Sequence, residues 1–330
     1  NQSFAYAQLK SLTIPNSVTS IGTYAFVRNP ITSVVIPDSV KKIGPVAFQS
    51  TNLASVVISN SITALETGVF EDTKLTSVTI PNSVTTIGES AFTKTQITSV
   101  TIPNSVTTIG NFAFEATPLT SVTIGNSVRT IGGWAFLYTQ LTSVTIPNSV
   151  TTIDQSAFNG TRLTSVTIPN SVTTIGMNAF ANTLLTSVTI PNSVTMIGEG
   201  AFSYTQLTSV SIPNSVTYIN SAFSNTPLTS VTIPSSITKI GRRAFENTLL
   251  TSVTIPRSVL RIESYAFANT RLTSVIVPDS VKIIDNLAFT GNLYLTTISI
   301  PDGLLELGEN VFEKNYSLTS ILFHCHHRYT

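Results

Sequence analysis

The chain has 330 residues, only 10 % of them charged, and its formal net charge is +1. A usual domain is about 25 % charged, and so weak a basic excess excludes a general binder of nucleic acid or anionic membrane. No apolar run approaches the roughly 20 residues of a membrane-spanning helix, and Cys325, the only cysteine, leaves no intrachain disulfide.

Residues 1–8 form a partial repeat around Phe4 with no secretory leader. A mature or trimmed piece is expected, and the leader's absence does not decide between cytosol and secretion. From Leu9 onward an aliphatic residue opens each unit, at Ile31, Leu53, Leu75, Ile97 and so on to Leu318. Eleven of the fourteen intervals are 22 residues, the one from Leu207 is 21, and those from Leu272 and Leu295 are 23. The unit reads L-T-S-V-T-I-P-N-S-V-T-T-I-G-x-x-A-F-x-x-T-x, and residues 163–184 are a clean copy. Repetition at this period means a stack of coils, each burying its apolar face on its neighbours.

Each phase has a physical reason. In Leu163–Ile168, Val166 and Ile168 point one way while Ser165 and Thr167 point the other, which is strand alternation. Pro169 has no N–H to give and ends the pairing. Asn170 and Ser171 form a turn. Val172 and Ile175 re-enter the core from a second extended stretch. Gly176 suits a left-handed backbone, and Asp154, Asn220 and Asp285 are the tolerated alternatives at that phase; Glu66 and Glu263 break this logic. Ala179-Phe180 predicts a tight helical or 3₁₀ turn. Phenylalanine recurs at this phase in every unit from Phe4 to Phe312, which predicts an internal aromatic column at about 4.8 Å per coil. The expected architecture is one β-rich leucine-rich-repeat solenoid over residues 1–322, about fourteen coils, with a C-terminal tail at 323–330.

The pattern L-x-x-V-x-I-P-x-x-V-x-x-I-G-x-x-A-F resembles the BspA-like, treponemal-type leucine-rich repeat of bacterial surface antigens, over residues 4–322. The family unit has 23 residues with Cys or Asn three positions after the Phe. Asn292 and Asn315 match that form, whereas most copies here carry Thr and are one residue shorter. The resemblance implies an extracellular or cell-surface protein attached to host matrix proteins or other cells.

Along the strand face, Ser77/Thr79, Ser99/Thr101, Ser121/Thr123 and their successors form two outward hydroxyl ladders. Such ladders stabilise a sheet. A sharper reading is an ice-binding array, which needs a flat face and Thr rather than Ser in both rows. Next comes an aromatic cluster, Phe112 and Trp134 at one phase of adjacent coils, with Leu137 and Tyr138 following. It reads as an interaction patch, or as side chains plugging gaps over the turns. Between Lys239 and Lys282, seven basic residues (Lys239, Arg242, Arg243, Arg257, Arg261, Arg271 and Lys282) face three acids, Glu246, Glu263 and Asp279. This local excess suits a sulfated glycan or an acidic protein; the alternative is a solvated rim.

The three histidines fall in the tail, His324, His326 and His327, beside Cys325. Imidazole and thiolate suit zinc or copper, but the spacing lacks the separation of a structural zinc site. With no histidine on the body and no phosphate loop, neither an enzyme nor a cofactor is expected. Both ends lack a recognisable cap, which predicts end-to-end self-association or missing caps. The expected function is non-catalytic binding of a protein or glycan by the sheet and variable turns. A spacer stalk and an ice-binding surface are the alternatives.

Overall fold

The structure is a computed structural model that describes residues 3–324, with the side chain of His324 outside that range. The metal-site reading of the His/Cys tail therefore lies outside the described residues. The backbone falls into two compact units, Asn1–Ser171 and Val172–Thr330. Each is a parallel stack of the coil described above.

Two strand positions recur along the stack, the second in successive coils and the first in only some of them. The first is the L-x-x-V-x-I stretch, seen in the first unit where Ser99–Thr101 pairs in parallel with Ser121–Thr123. Ser99 and Thr101 are exposed while Val100 is buried, so the alternation read from the sequence holds. The second is the short T-I stretch, which pairs more continuously. Ala64–Leu65, Thr86–Ile87, Thr108–Ile109, Thr130–Ile131 and Thr152–Ile153 form an unbroken in-register ladder. In the second unit the same ladder runs through Tyr218–Ile219, Lys239–Ile240, Arg261–Ile262, Ile283–Ile284 and Glu306–Leu307. The stretch expected to be the lesser strand thus carries the longer pairing.

The Pro-Asn-Ser turn between the strands also stitches coils together. In many coils its serine hydroxyl donates to a carbonyl of the preceding coil, as in Ser105 Oγ to Val84 O at 2.6 Å and Ser258 Oγ to Ile237 O at 2.7 Å, whereas the buried hydroxyls of Ser39, Ser193 and Ser280 have no partner among the described residues. The core lies between the strand positions and the Ala-Phe turn. Neighbouring Phe rings stack with centroids 5.3–5.8 Å apart from Phe4 to Phe158 in the first unit. A second column runs from Phe180 to Phe312 in the second unit. Threonine three residues after the Phe is buried and turns its hydroxyl back onto the Phe carbonyl, as Thr139 does to Phe136 at 2.9 Å. Where asparagine takes that place it reaches across coils. Asn292 Nδ2 donates to both Phe267 O and Phe289 O at 2.9 and 2.8 Å, and Asn29, which the sequence reading passed over, bonds Phe4 O and Phe26 O.

Two expectations are corrected here. The Ala-Phe segment is not helical: no helix occurs among the described residues. It is a run of tight turns whose alternate N–H groups donate to the next coil, for instance Trp134 N to Gln155 O, Phe136 N to Ala157 O and Tyr138 N to Asn159 O. The left-handed residues are the first and last of these three donors, not the glycine. Trp134 and Tyr138 both have φ 57°, and the corresponding pair recurs in successive coils, before the Ala and two residues after the Phe. Positive φ at the third residue is what a type II turn demands.

The glycine phase serves close approach instead. A Cβ on Gly241 would sit 2.1 Å from Ile219 O, and one on Gly88 2.6 Å from Leu65 O. Acids at this phase compensate through hydrogen bonds. Asp154 Oδ1 accepts the Gln155 N–H at 2.7 Å, and Glu263 Oε2 accepts the Arg242 N–H at 3.1 Å and the Tyr218 hydroxyl at 3.0 Å. Nothing in the structure explains Glu66. Asn220 is not a substitute for glycine. Its carbonyl takes the Gly200 N–H as the residue following a glycine does elsewhere, so the 21-residue coil has lost the glycine itself.

Candidate binding surfaces

The strand face of the first unit carries a hollow of about 980 Å3. Its floor is the hydroxyl ladders Ser77, Ser99, Ser121 and Thr79, Thr101, Thr123, Thr145, and its rim is the turn row Asn82, Asn104 and Asn126. Its lining residues are all uncharged. The pattern follows from the repeat: strand alternation aims every second side chain outward, and in-register stacking puts like residues about 4.8 Å apart. Gly125 replaces the usual proline at one point, where a Cβ would meet Pro103 O at 2.4 Å, and the next residue's N–H donates to Asn104 Oδ1 at 2.8 Å. In the second unit a hollow of about 860 Å3 occupies the equivalent place, but Arg257, Ile276 and Asp279 join its lining.

The aromatic cluster sits on the turn side. Phe112 and Trp134 stack with ring centroids 4.8 Å apart and planes 5° from parallel. Both are half-buried, while Tyr138 is 61 % exposed and lies against Gly160, where a Cβ would meet its ring at 2.4 Å. Leu137 is 9 % exposed and packs in the core side of the turn, so it presents little to a partner. All three aromatic residues hold left-handed backbone. The shape of the turn, not only the side-chain chemistry, fixes where they project.

The basic residues do not form one surface. Arg261 makes a bidentate pair with Asp285, Nε and Nη2 each 2.9 Å from a carboxylate oxygen. That hydrogen bond is the main cause of a raised Arg261 pKa. Asp285 lies three residues past Lys282, one coil on from Arg261. Arg243 forms an ion pair with Glu246 at 3.6 Å and places its guanidinium 5.1 Å over the Tyr265 ring. Lys282 Nζ caps the carbonyls of Asp279 and Gly303. Lys239 is exposed on the T-I ladder in register with Arg261. Arg257 faces the strand-side hollow, whereas Arg242 and Arg243 line a hollow of about 300 Å3 on the turn side. Burial holds the Glu246 carboxyl above its ordinary pKa, against the lowering pull of Arg243 and Arg242.

The turn-side hollow is a feature the sequence reading missed. Its signal was the 21-residue interval from Leu207, the one interval shorter than the 22-residue unit. Apolar surface is also open at both extremes of the described chain, with Phe4 50 %, Leu305 81 % and Phe323 69 % exposed.

A family model described as a BspA type leucine rich repeat region, in six copies, matches residues 1–118, 107–222 and 220–329. Among solved structures, a leucine-rich repeat protein from Bacteroides ovatus is 27 % identical with a TM-score of 0.84, over 94 % of this chain and 86 % of that one. A leucine rich cell surface protein from Faecalibacterium prausnitzii is also 27 % identical, with a TM-score of 0.52 over 97 % of this chain and 89 % of that one. The pneumococcal vaccine antigen PcpA, at 21 % identity and a TM-score of 0.50 over 96 % of this chain and 79 % of that one, shares the fold. A search of curated proteins returned no match.

Proposed function

Because the chain belongs to the BspA-type leucine-rich repeat family, and one similar structure is that of a leucine rich cell surface protein, we propose that it is a non-catalytic attachment protein displayed outside the cell. It holds a protein of host matrix or cell surface, or the glycan such a protein carries, on the strand face of its first unit. The observation that carries this reading is the uncharged hollow of about 980 Å3 over residues 77–147. Serine and threonine hydroxyls and asparagine amides there can both donate and accept, which suits the mixed backbone and hydroxyl chemistry of such ligands. A surface free of charge neither steers nor repels, so recognition rests on contact rather than on long-range attraction. Among the described residues no helix is long and apolar enough to cross a membrane, and the partner reading excludes nucleic acid on charge.

The test is solid-phase binding of the full chain to immobilised matrix proteins and to a glycan array. Saturable binding that survives raised salt supports the reading. Absence of binding to every probe would leave the repeat as a spacer whose length is its role.

A further inference from the structure

We propose that the hollow at the 21-residue coil of the second unit is a separate sugar-binding site, taking a single sugar residue at the end or branch of a glycan. The hollow measures about 300 Å3 and is lined by Glu199, Tyr204, Ser221, Ser224, Asn225, Arg242, Arg243 and Glu246, at the lower edge of the sizes that hold small ligands. It lies at the coil where one residue, the glycine before Asn220, is missing from the 22-residue unit.

The groups around it supply both halves of what a sugar hydroxyl needs. Three asparagines at the second left-handed position form an amide ladder. Asn269 Nδ2 donates to Asn247 Oδ1 at 2.9 Å, and Asn247 Nδ2 donates to Asn225 Oδ1 at 2.8 Å. Aligned amides polarise one another, and the chain ends at Asn225, on the wall of the hollow, whose Nδ2 makes no hydrogen bond among the described residues. Asparagine is suited to this run because it accepts the left-handed backbone at φ 58°, 57° and 56°. Arg242 adds a second set of donors. Its side chain is exposed and forms no ion pair among the described residues, in contrast to Arg243, which is tied to Glu246 and Tyr265.

The acceptor is Glu199. It occupies the same phase as Arg242, two coils away with Asn220 between them, so the two backbone positions lie about 10 Å apart, twice the coil spacing, and both side chains line the hollow. Tyr204 stands at the rim, 57 % exposed and in the Asn225 phase one coil earlier. Its ring offers a face for sugar C–H groups. Donors, one carboxylate acceptor and a ring form a set without net charge, Glu246 cancelling Arg243 and Glu199 cancelling Arg242. An isolated anion would meet Glu199, and an isolated cation would meet Arg242. A hydroxyl-rich ring meets neither penalty.

The experiment is a glycan array probed with the full chain, followed by titration of the retained glycan against five variants. Arg242→Ala and Asn225→Leu each remove one donor set, and a loss of about tenfold or more is expected from either. Insertion of one glycine between Ile219 and Asn220 restores the 22-residue period and should abolish binding while keeping the melting temperature. Arg257→Ala, on the strand side, should bind as the parent does. Retention of no glycan on the array overturns the proposal, and so does a glycan whose affinity is unchanged in Arg242→Ala and Asn225→Leu. Binding lost only in strand-face variants such as Thr101→Arg would assign the glycan to the first-unit hollow and equally overturn it.

Discussion

The rings of Phe112 and Trp134 lie 4.8 Å apart and 5° from parallel, although both residues hold the left-handed backbone that bulky side chains rarely adopt. The fold imposes that backbone at two places in successive coils, so the pair is stacked by register rather than assembled by side-chain choice. Trp134 is the only tryptophan and half-buried. Trp134→Ala should therefore cost about 1–3 kcal/mol of stability, the lost stack and its burial together, read by chemical denaturation. A change below a few tenths of that range would show that the pair is a free surface patch.

Removing a ring from the interior column should cost more. Phe114 and Phe136 are fully buried and stacked at 5.5 Å. Phe136→Ala should destabilise by about 3–5 kcal/mol and lower the melting temperature accordingly. Near-neutral behaviour would mean that the coils on either side collapse onto the gap.

Glycine and left-handed positions should respond in opposite senses. Gly241→Ala puts a methyl 2.1 Å from Ile219 O, and the backbone of two coils must part, so thermal unfolding should come markedly earlier. Ser90→Gly places glycine where φ is 55°, relieving a cost of about 1–2 kcal/mol that offsets the extra freedom of the unfolded chain. Its melting temperature should equal or slightly exceed the parent's. If the two variants fell together, the close-approach account of the glycine phase would be wrong.

Most of the fold was legible because its causes are local and repeated. The Leu, Val, Ile and Phe phases, the outward Ser/Thr ladders and the Phe column follow from strand alternation and an in-register stack. The failures have a common origin, since they concern what one coil does to the next. The glycine phase was assigned a left-handed φ at Gly176, whereas the constraint at Gly241 is the Ile219 carbonyl, 22 residues away in sequence. Asn220 was aligned to the glycine phase because its composition suited it, while the pairing of Gly200 N with Asn220 O shows it to be the following residue. Likewise the basic stretch looked unpaired because Asp285, which binds Arg261, belongs to the next coil. Of the candidate site residues, Phe112, Trp134 and Tyr138 share one face, Leu137 does not, and Arg257 lies apart from Arg242 and Arg243.

Tyr218 gives a pH-dependent prediction. Burial first, then the hydrogen bond to Glu263 and the charges of Glu263 and Glu199, push its pKa from 10.0 up to about 12. The folded state thus favours the neutral phenol. The resulting stability is fully present below pH 10 and is lost as pH rises from 10.0 towards about 12. Tyr218→Phe should flatten that part of the alkaline stability curve; an unchanged curve would mean that the Glu263 contact does not persist in solution.

The ladders also bear on water. A hollow with serine in one of its two rows lacks the flat threonine plane that ice demands, so thermal hysteresis should be absent from the full chain at millimolar concentration. A measurable hysteresis gap would replace attachment with ice binding as the role of the strand face.

The central claim is that the uncharged hollow over residues 77–147 holds the partner. Thr101 and Thr123 are register partners at its floor, and both are exposed, so Thr101→Arg with Thr123→Arg fills the hollow and adds two charges while sparing the core. Surface plasmon resonance of this double variant, beside the parent, against the matrix protein or glycan that the parent retains is the most direct measurement. The account predicts a loss of affinity of about a hundredfold or more with an unchanged melting temperature. Parent-like affinity in the folded double variant would contradict it.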